Sequence, residues 1–147
     1  MKLLSGKRAF IIGAASGIGA ETAKLFAAEG ATVAIADINE SGLAATAAAI
    51  GTPPTFRVDI TDAAQVKQVT NAAAKALGGL DIVLNTPFVD GHPDLLGLTE
   101  QQYRREFDVL GSGTLFTFQA AIPHLKGACG GVRMTTSPAR LGDYGAY

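Results

Sequence analysis

At 147 residues, with 48% apolar and 17% charged side chains, the chain fits a single domain with a real core, and its composition excludes a disordered protein. The net charge is −1 with no basic block, so electrostatic capture of nucleic acid or of an anionic membrane has no support. Cys129 is the only cysteine, which leaves no disulfide framework and no metal-ligand cluster, and a reducing cytoplasm is the expected setting. No apolar run reaches the ~18 residues of a membrane span, and Met1–Lys7 lacks the apolar core of a signal peptide.

The pattern alternates strands and helices along the whole chain. Strand one is Arg8–Ile12, an apolar run that ends in a glycine-rich turn. Helix A follows, with Ile18, Thr22, Leu25, Phe26 and Glu29 at helical spacing and Gly30 suited to its C-terminal cap. Strand two is Thr32–Ala36, ending in Asp37. Helix B sets Leu43, Ala47 and Ile50 on one face and stops at Gly51 before Pro53 and Pro54. Strand three is Thr55–Val58, followed by Asp59. Helix C starts at Asp62 with Gln65 completing a capping pattern, and Val66, Val69, Ala73 and Leu77 form its stripe. Strand four is Asp81–Leu84, and a loop with Pro87, Gly91 and Pro93 comes next. A further helix opens at Thr99 with Gln102 three residues on, and its Tyr103, Phe107 and Leu110 share a face. Gly111 and Gly113 interrupt or loosen it before Thr114–Ala121, and Pro123 lies near its end. Strand five is Val132–Thr135.

Such alternation predicts a doubly wound α/β fold of Rossmann type: five parallel strands in the order 3-2-1-4-5, with helices on both faces. The order reverses between strands one and four. The glycine turn, Asp37, Asp59 and Asn85 then share the rim at the C-terminal ends of the strands, where α/β sheets bind ligands.

The turn is the most informative stretch. Gly13, Gly17 and Gly19 follow a strand and open a helix, the arrangement that holds a pyrophosphate on backbone N–H groups at the positive end of a helix. Ser16 and Ile18 lie within it. One glycine permits the sharp turn, one lets backbone approach phosphate, and one lets helix and strand pack closely. Asp37, about 20 residues on, is placed to accept both hydroxyls of an adenosine ribose and to repel a 2′-phosphate. No Arg or Lys lies among Ala14, Ala15 and Ser16 or directly after Asp37, which points to NAD over NADP. An acid near a helix N-terminus is the plainer reading of Asp37. Asp59 can receive an adenine amino group, or belong with Thr61 and Asp62 to the capping region of helix C. Asn85 can tie neighbouring strands, line the cofactor floor, or serve as a turn residue before Thr86 and Pro87. His92 and His124 have no evident carboxylate partner or metal-ligand spacing and read as a solvated and a helix-terminus residue, and Cys129 reads as structural.

Taken together these stretches resemble the classical short-chain dehydrogenase/reductase family. Gly13-Ala14-Ala15-Ser16-Gly17-Ile18-Gly19 looks like its cofactor loop, and Asp37 matches the acid of its NAD-preferring members. Asp59-Ile60-Thr61-Asp62 looks like its adenine-contacting strand end. Asp81–Asn85 resembles the strand leading into its Asn-Asn-Ala-Gly motif, and Phe107–Thr114 its long interface helix. Gly130–Ser137 resembles the strand carrying its catalytic serine. The resemblance implies hydride transfer between nicotinamide and an alcohol or carbonyl substrate, with Ser137 orienting the substrate oxygen and Tyr147 exchanging the proton. Tyr144 is the weaker match for that tyrosine. A methyltransferase that uses S-adenosylmethionine also has a glycine turn and an acid after strand two, but the glycine spacing and the Ser137 region fit the dehydrogenase pattern better.

Several positions depart from the family pattern. Ile12 replaces a threonine before the first glycine, and Thr86-Pro87-Phe88 stands where Asn-Ala-Gly is expected. Leu110 occupies the place of the catalytic asparagine. The Tyr-x-x-x-Lys lysine would lie past Tyr147, where the chain stops. The resemblance covers the first half of a usual member, which implies a C-terminally truncated form with impaired chemistry, or a non-catalytic NAD-binding or pairing module. An exposed edge at strand five and an unpartnered long helix lead to the expectation of a homo-oligomer.

Overall fold

The computed structural model describes residues 2–89, 95–125 and 132–134. Its centre is β1 (Arg8–Ile12), whose last four side chains are all buried. An unbroken apolar run of this kind suits a parallel strand covered on both faces. On one side β1 pairs with β2 (Thr32–Asp37), and β2 pairs with β3 (Thr55–Arg57). On the other side it pairs with β4 (Ile82–Asn85), and β4 pairs with β5 (Val132–Met134). All pairs are parallel and the order is 3-2-1-4-5, as the alternation of elements predicts.

Successive side chains of β1 point to opposite faces and join different cores. Phe10 and Ile12 pack with Ala34, Ala36 and Val83 beneath α3 (Ala63–Leu77) and α5 (Gly113–Leu125). Phe10 meets Phe56 edge to face, with centroids 6.4 Å apart. Ile11 packs with Val33, Ile35 and Leu84 beneath α1 (Gly17–Ala28) and α2 (Glu40–Ala49).

Helix α1 buries a different face from the one its large residues mark out. Ile18 and Leu25 are 51% and 58% exposed, whereas Gly19, Ala20 and Ala23 are buried. At its start the helix lies so close to the glycine turn that a Cβ on Gly19 would collide with the carbonyl of Gly13, so only small side chains fit at that point. Ile18 and Leu25 are left on the outer face, while Phe26 of the expected stripe packs partly buried against the core on this side of the sheet. Its end matches the expectation for Gly30. With φ +90°, Gly30 donates to the carbonyl of Ala27, and Ala31 donates to that of Phe26, which is a Schellman motif.

Helix α3 is capped by Asp62, whose Oδ1 accepts from the N–H groups of Ala64 and Gln65. Those bonds hold its carboxyl below the usual range, the backbone N–H of Gln65 contributing most. Helix α4 (Glu100–Phe107) has the full capping box, with the Gln102 N–H donating to Thr99 Oγ1 and the Thr99 N–H donating to Gln102 Oε1. Tyr103 and Phe107 do share a face and touch, but that face is largely exposed. The helix does not break at Gly111. It passes through a π turn, Asp108–Ser112, into α5, and Pro123 lies within the last turn of α5. Gly113 is required there, because a Cβ would lie 2.7 Å from Cγ1 of Ile60.

Strand β4 begins at Ile82, one residue later than expected, and the residue before it, Asp81, is still joined to β1 through its N–H, which donates to the Arg8 carbonyl at 2.9 Å. Its carboxylate accepts from Nε of Arg8 at 2.8 Å, from Nη2 at 3.0 Å and from the Arg8 backbone N–H at 2.9 Å. The guanidinium holds the Asp81 carboxyl down to about 2. This pair closes the N-terminal end of β1 against β4.

Candidate functional site

The opposite end of the same two strands carries the glycine turn. Gly13 continues β1 with φ +88°, and its N–H and that of Ala14 both donate to the carbonyl of Ala36, at 2.8 and 3.2 Å. The Ala15 N–H donates to Oδ2 of Asp37 at 2.9 Å. The first part of the turn is thus stitched to the end of β2.

The next part is left open. Ser16 is the N-cap of α1, yet its side chain makes no capping bond. By contrast α2, α3 and α4 are capped by Asn39, Asp62 and Thr99. The first backbone N–H groups of a helix have no intrahelical acceptor, so Gly17, Ile18 and Gly19 present free donors at the positive end of the α1 dipole. Gly17 has φ +53°, and nothing lies within 4 Å of where its Cβ would be. The turn therefore combines unclaimed donors, a positive end and unobstructed backbone, and these fit a pyrophosphate.

Asp37 sits beside this cradle, half-buried, with Oδ1 accepting from the Asn39 N–H at 2.9 Å and Oδ2 from Ala15. Each oxygen retains a lone pair for a further donor. Gly42 of α2 closes the wall, for its Cβ would lie 2.7 Å from the carbonyl oxygen of Ala15.

The remaining expected site residues divide. Asp59 accepts at Oδ1 from both the N–H and the hydroxyl of Thr61, at 2.9 and 2.7 Å, so it shapes the approach to α3 while Asp62 is the cap. The Ile60 side chain is not on the rim; it is buried in the core against Gly113. Asn85 is the last residue of β4, at the strand end expected for it, and not a turn residue; its amide corrects one expectation, since it ties the sheet to a helix rather than to another strand. That amide is 3% exposed, with Nδ2 donating to Thr114 Oγ1 at 3.1 Å and Oδ1 accepting from Thr117 Oγ1 at 3.4 Å. Leu110 lies in the π turn, where its carbonyl accepts from the Thr114 hydroxyl at 2.6 Å. His124 hydrogen-bonds Asn71 across α3 and α5 at 2.7 Å. Ser137, Tyr144, Tyr147, His92 and Cys129 lie outside the described residues.

Sequence reasoning missed Thr86, treating it only as a departure from a pattern. It is buried beneath the turn, its N–H donating to the Ile12 carbonyl at 2.9 Å and its hydroxyl to the same carbonyl at 2.9 Å, with the Gly13 carbonyl at 3.2 Å. A hydroxyl at the end of a strand neighbouring the glycine turn was the available signal.

The fold is a doubly wound α/β domain of Rossmann type, and its glycine turn has free donors and open backbone that fit a pyrophosphate. Residues 13–147 match the family model described as enoyl-(acyl carrier protein) reductase. Galactitol 2-dehydrogenase of Agrobacterium fabrum is 42% identical over 118 residues, which are 80% of this chain and 46% of that protein. Sorbitol dehydrogenase of Cereibacter sphaeroides is 37% identical over 144 residues, 95% of this chain and 56% of that protein. Among solved structures, carveol dehydrogenase of Mycobacterium avium in complex with NAD superposes with a TM-score of 0.82 at 28% identity, over 93% of this chain and 56% of that one. The chain belongs to the short-chain dehydrogenase/reductase family. It spans about half the length of the curated relatives it matches.

Proposed function

We propose that the chain binds NAD(H) and serves an oxidoreductase that moves hydride between the nicotinamide and the carbinol or carbonyl carbon of a polyol or its ketone. The observation that carries this reading is the uncapped N-terminus of α1 beside Asp37. Gly17, Ile18 and Gly19 would hold the pyrophosphate on their N–H groups, and Asp37 would accept the adenosine ribose hydroxyls. A carboxylate at that position repels a 2′-phosphate, and neither Ala14-Ala15-Ser16 nor the residue after Asp37 offers a cation to offset it. NAD is therefore preferred over NADP. When bound, the nicotinamide supplies the hydride acceptor or donor. Of the chain's own residues, Ser137 is assigned to orient the substrate oxygen and Tyr147 to exchange its proton.

The polyol class follows from the names of the galactitol and sorbitol relatives. The same reading places the protein in the cytoplasm as a homo-oligomer, which light scattering after size exclusion checks. No helix among the described residues is long and apolar enough to cross a membrane.

Titration with NADH and NADPH, followed by fluorescence and calorimetry, tests the cofactor assignment. Saturable NADH binding is expected, with NADPH about tenfold weaker or more. Asp37→Ala should narrow that gap. Equal binding of the two would remove the NAD preference, and no saturable binding at millimolar NADH would remove the whole reading. Turnover of galactitol and sorbitol that disappears in Tyr147→Phe supports the enzymatic assignment. Binding without turnover leaves a nucleotide-binding module.

A further inference from the structure

We infer that Thr86 is a positioning residue for the phosphate-binding turn, setting the orientation of the Gly13–Ala14 peptide from the neighbouring strand. The inference rests on the proposed nucleotide site and adds to it a residue outside the glycine motif.

The Gly13–Ala14 peptide is held from both sides. Its N–H, on Ala14, donates to the Ala36 carbonyl of β2 at 3.2 Å, and its carbonyl, on Gly13, lies 3.2 Å from the Thr86 hydroxyl at the end of β4. That hydroxyl shares its proton between the Gly13 carbonyl and the Ile12 carbonyl at 2.9 Å. Thr86 is 8% exposed, so solvent is a poor substitute partner. Gly13 has φ +88° and no Cβ, and backbone alternatives at glycine cost little. An external pin is what selects one peptide orientation.

The hydroxyl also fills the space the glycines leave. A Cβ on Gly13 or on Gly19 would lie 2.6 Å from Thr86 Oγ1. The absence of side chains at these two positions thus accommodates Thr86 as well as the close packing of α1 on β1. The peptide that Thr86 orients leads directly into Ala15, Ser16 and Gly17, where the free donors begin. Asp37 recognises ribose from β2 without contacting Thr86, so loss of the pin should weaken phosphate binding and spare adenosine binding.

The test is calorimetry of the full 147-residue chain with adenosine, ADP and NADH, in wild type, Thr86→Val and Thr86→Ser. Valine keeps the volume and removes the hydroxyl; serine keeps the hydroxyl. The expected result is ADP and NADH binding about five- to tenfold weaker in Thr86→Val, adenosine within about twofold of wild type, and recovery in Thr86→Ser. General loosening of the fold would not change the ratio of ADP to adenosine affinity. The inference is overturned if Thr86→Val binds ADP like wild type, if adenosine falls in step with ADP, or if serine does not rescue. Should circular dichroism show Thr86→Val unfolded, Thr86→Cys, a weaker donor of similar bulk, takes its place with the same expectation, and wild-type ADP affinity in that variant overturns the inference. Failure of the wild-type chain itself to bind ADP or NADH would instead remove the nucleotide site on which the inference rests.

Discussion

The β1–β4 pair is secured at its N-terminal end by a guanidinium closed on a carboxylate, and at its C-terminal end by a hydroxyl lodged between two glycines. At the first end every strong group is consumed: Arg8 donates to both oxygens of Asp81 and also to the carbonyl of Gly78. At the second, Thr86 satisfies carbonyls only, and the N–H groups that follow in Gly17, Ile18 and Gly19 remain available. The same two strands therefore have one end built to be closed and one built to receive a ligand. The difference lies in which backbone groups are left over, since both ends are well ordered by their neighbours.

The strongest way to break the open end is Gly19→Ala. The new Cβ would collide with the Gly13 carbonyl and press on Thr86 Oγ1. A loss of about 3 kcal/mol in urea unfolding is expected, with nucleotide binding abolished. Stability within about 0.5 kcal/mol of wild type would refute the close packing of α1 on the turn. Gly17→Ala separates binding from packing. Its Cβ meets nothing within 4 Å, so only the left-handed φ of +53° is penalised, at about 1 kcal/mol. Because the methyl group enters the space beside the free donors, NADH affinity should fall by about tenfold or more. Unchanged NADH affinity would move the phosphate away from Gly17.

Asp81→Asn probes the closed end and should have the smallest effect, a drop of a few degrees in Tm with NADH affinity unchanged. Its pH dependence has a definite sign. The Asp81 carboxyl is held at about 2, below the ~3.9 of an unfolded aspartate, so in this interval the unfolded chain binds more protons. The ion pair's contribution is fully present above about pH 4 and is lost as the pH falls through about 2. Unfolding midpoints across that window should converge for wild type and Asp81→Asn. A difference that does not shrink between about pH 4 and about pH 2 would show that the contribution of Asp81 does not come from its charge.

Legibility from sequence followed the same division between local and non-local determinants. The glycine turn, Asp37 and the capping box at Thr99 were readable because each acts within a few residues of itself or at a fixed spacing. Strand order was readable because right-handed crossovers allow few alternatives. Thr86 was not, since its partners Ile12 and Gly13 are distant in sequence and its role exists only once β4 lies beside β1. The place of Asn85 at the end of β4 was readable but its partners were not, since Thr114 and Thr117 come from a helix later in the chain. Helix α1 shows a different failure. Its large residues Ile18 and Leu25 define a periodic stripe, but proximity to the sheet selects the smallest side chains for burial instead.

The π turn at Asp108–Ser112 has a consequence for how this chain tolerates change in length. The Gly113 N–H reaches back five residues to the carbonyl of Asp108, so this turn stores one residue more than an α-helical turn. Helix α5 cannot slide to absorb it, because Gly113 is seated on Ile60 while Thr114 and Thr117 are bonded to Asn85. Upstream, the capping box at Thr99 fixes where α4 begins. Between two anchored ends, the surplus residue behaves as slack in the chain. Deleting one residue from this turn would tighten it to a regular helix and leave the seat of α5 on the sheet where it is.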